Sequence, residues 1–385
     1  MSVQKPRPAI AETPRRGIKV VAIGGGTGLS TLLRGLKRYV LAPGARPRLA
    51  NSIRELSAVV TVTDDGGSSG KLRKEFNMLP PGDIRNCIVA LSEDEALLAR
   101  LFQFRFPGES ALSGHSVGNL FLTALTAMTG DFAEAVNLSS AILATRGTIY
   151  PATTANVQLE AAMDDGSVVK GETNITASTK RIVELRLVPS DVTPVPQTLE
   201  AIASADLITI GPGSLFTSLV PNLLVRGIPE AIMASRAVKV FICNLMTEAN
   251  ESLGLTASGH IRALYKHAGC RFLDYALVNR KPVSDAMKAQ YALEGASQIV
   301  ADVPEIEALG VRPVLGDFLE EAAVARHAHR RVARVLMRMA AGAPSLPQVR
   351  LRAPLVPKQK VQDSSQPPLR KPKSRVKVSA HVELE

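Results

Sequence analysis

The segment Ile18-Lys19-Val20-Val21-Ala22-Ile23-Gly24-Gly25-Gly26-Thr27-Gly28 decides the fold. Its first six residues are apolar apart from Lys19 and do not alternate with polar ones, the pattern of a parallel strand covered on both faces. The glycine cluster stops the strand, and Leu29 to Tyr39 follows with Leu29, Leu32, Leu33 and Leu36 on one helical face. Strand, glycine turn and helix in that order place unpaired backbone N–H groups and the positive end of a helix together. Gly24, Gly25, Gly26, Thr27 and Gly28 therefore form a candidate anion seat. A tight turn alone would also use glycine, but glycine backbone lets a ligand approach closely. Neither familiar nucleotide fingerprint fits: Leu29 stands where the third glycine of GxGxxG belongs, and no Gly-Lys-Ser/Thr follows.

The same device recurs along the chain. A second apolar run, Leu56 to Val62, ends in Thr63-Asp64-Asp65-Gly66-Gly67-Ser68-Ser69-Gly70, with Lys71, Arg73 and Lys74 beyond. Two acids and a glycine-serine loop at a strand end suit a divalent cation such as Mg²⁺, or ribose hydroxyls, with the loop donating to phosphate. Asp64 and Asp65 are the candidate metal ligands, and Gly66, Gly67, Ser68 and Ser69 the loop donors. Gly82-Asp83-Ile84-Arg85-Asn86 opens a helix read over Ile84 to Leu91, with Asp83, Arg85 and Asn86 as candidate contacts. Gly114-His115-Ser116-Val117-Gly118-Asn119 precedes helices read over Leu120–Met128 and Asp131–Leu143. His115 and Asn119 add a polar wall, while the absence of a GxSxG elbow argues against a Ser-His hydrolase.

From Thr148 to Val188 the pattern changes to alternation around the Asp164-Asp165-Gly166 turn, an antiparallel insertion in the α/β body. The parallel theme resumes at Ala205 to Ile210, which runs into Gly211-Pro212-Gly213-Ser214, a second anion seat through Gly211, Gly213 and Ser214. Val238 to Asn244 and Asp274 to Asn279 are further strands, and Asn244 ends the first of them near Thr247 and Glu248. A helix over Leu319 to Met339 closes the body. The fold class is thus α/β, a doubly wound, mostly parallel sheet whose ligands bind at the carboxyl ends of its strands.

Charge locates the rest. Of the formal +11, residues 1–16 hold +3 and residues 346–385 hold +6, which leaves +2 for 17–345. The body is therefore no nucleic-acid surface, and 4% aromatic residues without Trp offer no stacking platform. Residues 1–16 read as a disordered leader, 17–341 as the α/β domain and 342–385 as a disordered, proline-rich basic tail. Cys87, Cys243 and Cys270 lack any CxxC spacing, so neither a disulfide framework nor a zinc site is expected. No apolar stretch is long enough for a membrane span and no secretory signal opens the chain. The expected compartment is the cytoplasm.

Taken together and in this order, the five polar motifs resemble the YvcK branch of the CofD-like superfamily, the gluconeogenesis factors, over about residues 18–340. The resemblance implies a Rossmann-like CofD fold and a role in cell shape and envelope synthesis during growth on gluconeogenic carbon. It further implies binding of a UDP-sugar such as UDP-N-acetylglucosamine, with Tyr291 and Arg326 at positions linked to that ligand. Tyr can stack on a uracil and Arg can hold a diphosphate. The related transferase branch moves a phospholactyl-type group from a nucleoside diphosphate donor with the help of Mg²⁺, and that activity is the alternative to a regulatory, non-enzymatic role. An unidentified protein partner and a homo-oligomer stay open.

Overall fold

The computed structural model describes residues 17–41, 52–93 and 95–341. The leader and the basic tail read from the sequence lie outside these residues. In chain order the strands are β1 (Ile18–Gly24), β2 (Ile53–Val60), β3 (Thr148–Pro151), β4 (Gln158–Met163), β5 (Val168–Lys170) and β6 (Ile182–Val188). They continue with β7 (Leu207–Ile210), β8 (Val238–Ile242), β9 (Tyr275–Asn279), β10 (Arg312–Gly316), β11 (Leu319–Glu321) and β12 (Ala325–His327). Seven of them make one parallel sheet in the order β10-β9-β8-β7-β1-β2-β3, flanked by helices. Burial on both faces explains why alternation is lost: Val20, Val21, Ala22 and Ile23 are all at most 2% exposed.

The chain builds outward from β1 in one direction to β3, then returns to β1's other side with β7 and builds to β10. Strand order therefore reverses between β1 and β7, the switch point where crossovers leave a crevice at the strand ends. Helix α1 (Gly26–Lys37) leaves β1 there. Helices α2 (Gly67–Phe76) and α3 (Gly82–Leu91) follow β2, and α3 packs along α1.

Three expectations change. The antiparallel unit is the sheet β5-β4-β6, spanning 158–188; Thr148–Pro151 instead pairs parallel with β2, Ser57 opposite Thr148. The expected loop at Ser68-Ser69-Gly70 is the first turn of α2, because Gly66 caps the helix and Gly67 takes a φ of +46°. Finally, Leu319–Met339 is not one helix. The hairpin β11–β12 occupies Leu319–His327, and the helix runs over His329–Ala340. Glu320 to Ala323 have helical propensity, but Ala325 N–H donates to the Tyr291 hydroxyl at 3.2 Å and the Ala328 N–H to the Phe318 carbonyl at 2.7 Å. Tertiary hydrogen bonds override a weak local preference.

Candidate functional site

At the switch point the two glycine turns interlock. A Cβ on Gly28 would overlap the Pro212 carbonyl, and one on Gly25 would lie 2.7 Å from Asp83 Oδ2. Gly26 has a φ of +62°, in the left-handed region. Asn244 clamps the second turn: its Nδ2 donates to the Gly213 carbonyl at 2.9 Å and its Oδ1 accepts from Gly213 N–H at 3.4 Å. Between the turns opens a cleft of about 220 Å³. Gly25 to Gly28 of the first turn and Gly213 and Ser214 of the second line it together with Asn244, Glu248, Tyr291 and Arg326. Gly24 and Gly211 stay behind this surface as the hinges of the turns.

The first N–H groups of α1 have no carbonyl partner within the helix. Asp83 takes that of Gly26, with Oδ2 at 2.7 Å, and Thr27 and Gly28 line the cleft. The second turn differs. Buried Glu251 accepts from Phe216 N–H at 2.6 Å and Thr217 N–H at 2.8 Å, so a protein carboxyl fills the start of the Leu215–Leu219 π-helix from inside. Burial, and then the neighbouring Glu248, pushes the Glu251 carboxyl well above the ordinary range. His327 closes the cleft's far end; it donates Nε2–H to the Cys243 carbonyl at 3.1 Å, and burial lowers it to about 4, keeping the ring neutral.

A second cleft of about 410 Å³ lies on the other side of Asp83. Asp64, the start of α2 from Gly66 to Ser69, Arg85 and Asn86 line it, with Lys71, Arg105 and Asn119 completing the wall. Arg85 is 7% exposed and organises the cluster. Its Nη1 donates to Ser116 Oγ at 2.6 Å and Asn119 Oδ1 at 3.0 Å, and its Nη2 to Asn86 Oδ1 at 2.9 Å. Asn119 Nδ2 passes the network to Ser68 Oγ at 3.0 Å, which meets His115 Nδ1 at 3.1 Å. His115 thus supports the wall from behind. Gly118 leaves room for the Arg85 side chain, whose Cδ would lie 2.7 Å from a Cβ there.

The acid pair divides. Asp64 Oδ1 accepts from Gly66 N–H at 2.9 Å beside the second cleft, whereas Asp65 Oδ1 accepts from Thr173 N–H at 2.8 Å and Thr173 Oγ1 at 2.7 Å. Asp65 thereby ties down the short helix Glu172–Ala177 of the insertion. Among the described residues no group of three or more His, Cys, Asp and Glu side chains is arranged to hold a metal ion.

That insertion helix delivers a residue the sequence did not single out. Glu172 accepts from Thr63 Oγ1 at 3.2 Å, and burial followed by Asp64 and Asp83 raises its carboxyl to about 8. Asp83 rises to about 6, mainly through burial, against the pull of the Gly26 N–H. Neither Glu172 nor Glu251 carries a local signal: the first answers to Thr63, far back in the chain, and the second to a helix on another strand.

A family model described as 2-phospho-L-lactate transferase CofD matches residues 20–319. The gluconeogenesis factor of Halalkalibacterium halodurans is 47% identical over 319 residues, covering 83% of this chain and 95% of that one. That of Bacillus subtilis is 45% identical over 320 residues, covering 83% and 97%. A crystal structure of a Bacillus halodurans protein superimposes with a TM-score of 0.78 at 46% identity, covering 84% of this chain and all of the other. With the switch-point cleft in place and most of its length matched, the chain belongs to the CofD family, in the branch of the gluconeogenesis factors.

Proposed function

We propose that this protein is a cytoplasmic regulator that binds a UDP-sugar, such as UDP-N-acetylglucosamine, in the switch-point cleft and links carbon state to envelope synthesis and cell shape. One observation carries the reading. Thr27 and Gly28, at the N-terminus of α1, line the same cleft as Arg326 and Tyr291, and Asp83 takes the Gly26 N–H beside them. A diphosphate seated on α1 is then held between a helix N-terminus and a guanidinium. Tyr291 supplies the apolar face for the base. Titration calorimetry with UDP-glucose and UDP-N-acetylglucosamine, with and without Mg²⁺, tests it. One saturable site is the expected result, and absence of heat with every UDP-sugar refutes the proposal.

A second reading has its own support. Asp64 and Asp83 line the second cleft, Asp83 raised to about 6, and they in turn help raise Glu172 to about 8. Such groups carry or accept protons near neutrality, which suits a transferase acting on a nucleoside diphosphate donor. Incubation with a deazaflavin acceptor and activated phospholactate distinguishes the two. Product formation favours transfer; its absence with several divalent metals leaves the regulatory reading.

A further inference from the structure

A row of arginines leaves the mouth of the cleft and runs along the outer surface of the last described helix. Arg326 sits on β12, and Arg330, Arg334 and Arg338 follow at intervals of four residues; all four are exposed. On a helix that interval is a rise of about 6 Å with about 40° of rotation, so Arg330, Arg334 and Arg338 form one stripe, and Arg326 precedes it on the hairpin. The opposite side of His329–Ala340 is used: Val332, Ala333, Leu336 and Met337 are buried, and Ala333 Cβ meets α1 at Gly35. None of the four arginines forms an ion pair among the described residues, although Glu320 faces Arg326 across the hairpin. Exposed Arg38, at the end of α1, adds a further cation on the element the helix packs against.

The stripe starts beside protruding apolar groups. Leu293 is 88% exposed, and Val324, at the hairpin tip, is 37% exposed between Ala323 and Ala325. Gln290 Nε2 donates to the Ala323 carbonyl at 3.1 Å and so ties the Leu293 turn to that tip. Leu253, 42% exposed, lies against Gly295 of the same turn.

We infer that this face docks peripherally on an anionic phospholipid bilayer, the arginine row on the headgroup phosphates and the Leu293–Val324 tip at the headgroup–acyl boundary. Guanidinium groups match phosphate oxygens bidentately, and each basic residue near a negatively charged leaflet adds to binding. The apolar tip decides between polyanions. Apolar side chains gain burial at a bilayer interface, whereas a nucleic-acid backbone offers them nothing and would call for stacking aromatics. A second copy of the chain would set arginine row against arginine row. Because Val324 and Arg326 also line the first cleft, that cleft opens beside the docking face. The inference does not depend on which ligand the cleft takes.

Cosedimentation of the full chain with large vesicles tests it, using phosphatidylcholine alone or with about 30% phosphatidylglycerol. Wild type is expected to partition onto the anionic vesicles only, and less so as salt rises. The exposed-site variant R330Q/R334Q/R338Q should lower the partition coefficient roughly 100-fold, and L293S roughly tenfold, each with an unchanged melting temperature. A triple variant that binds like wild type would overturn the inference, because the basic segment 346–385 would then account for the binding. Equal partition onto neutral vesicles would overturn it too, as would an L293S chain indistinguishable from wild type.

Discussion

Glu172→Gln isolates the acidic cluster at the junction of the two clefts. In the folded chain the Glu172 carboxyl is raised from 4.5 to about 8, first by burial and then by Asp64 and Asp83. Between those two values the folded protein holds a proton that the unfolded chain has already released. Stability therefore falls as pH rises through that window, and the loss is complete above about 8. At about 1.4 kcal/mol per pKa unit, the full shift from 4.5 to about 8 sets a ceiling of about 5 kcal/mol. Solvent reaching the partly open cleft screens the pair interactions and brings the expected effect to about 2 kcal/mol. Gln keeps an acceptor for Thr63 Oγ1 but carries no charge. Below pH 5 the variant should match wild type; at pH 9 it should be more stable by about 2 kcal/mol. Asp83, raised to about 6, titrates in both proteins and cancels to first order. Urea unfolding from pH 5 to 9 reads the difference directly. Parallel stability curves for the two proteins would refute the placement of a buried, protonated Glu172 beside Asp64 and Asp83.

Gly28→Ala places a methyl group on the Pro212 carbonyl, backbone against backbone, so it should cost about 3 kcal/mol in urea unfolding and abolish UDP-sugar binding together. Glu251→Ala strips the acceptor from two buried N–H groups, Phe216 and Thr217, and should cost about 3 kcal/mol. Glu251→Gln, which keeps an oxygen there, should cost clearly less by the same assay. Arg326→Ala removes an exposed side chain that lines the first cleft and makes no ion pair among the described residues; calorimetry should show UDP-sugar affinity falling roughly 10- to 100-fold while the melting temperature holds.

The parts of this fold that were legible in the sequence are those encoded by neighbours in the chain. Ile18 to Ile23 reads as a doubly covered strand because both faces are buried, and the glycine turn after it is demanded by contacts a Cβ would forbid. The hairpin at Leu319–His327 was not legible. Its Glu-Glu-Ala-Ala run has helical propensity, and what holds it is the Tyr291 hydroxyl from another element, together with the His327 bond to Cys243. The same holds for Asp65. Beside Asp64 in sequence it reads as half of a metal pair, and its bond to Thr173 of the insertion has no signal in its own neighbourhood of the chain.

Carboxylates explain why two similar glycine motifs do not make two similar sites. A strand–glycine–helix turn tells where backbone N–H groups point, but not what sits on them. At the first turn Asp83 covers a single N–H, that of Gly26, and stops at the edge of the cleft. At the second, Glu251 covers both Phe216 and Thr217 from the buried side. The two turns have the same local chemistry and differ only in a residue supplied from elsewhere in the chain. In the proposed complex a phosphate sits at the start of α1 on Thr27 and Gly28, and Gly213 and Ser214 of the second turn, held by the Asn244 clamp, line the same cleft. A carboxyl that already accepts the N–H groups at a helix start leaves fewer of them for a ligand. Acids supplied from elsewhere in the chain thus decide which N–H groups each turn keeps for a ligand.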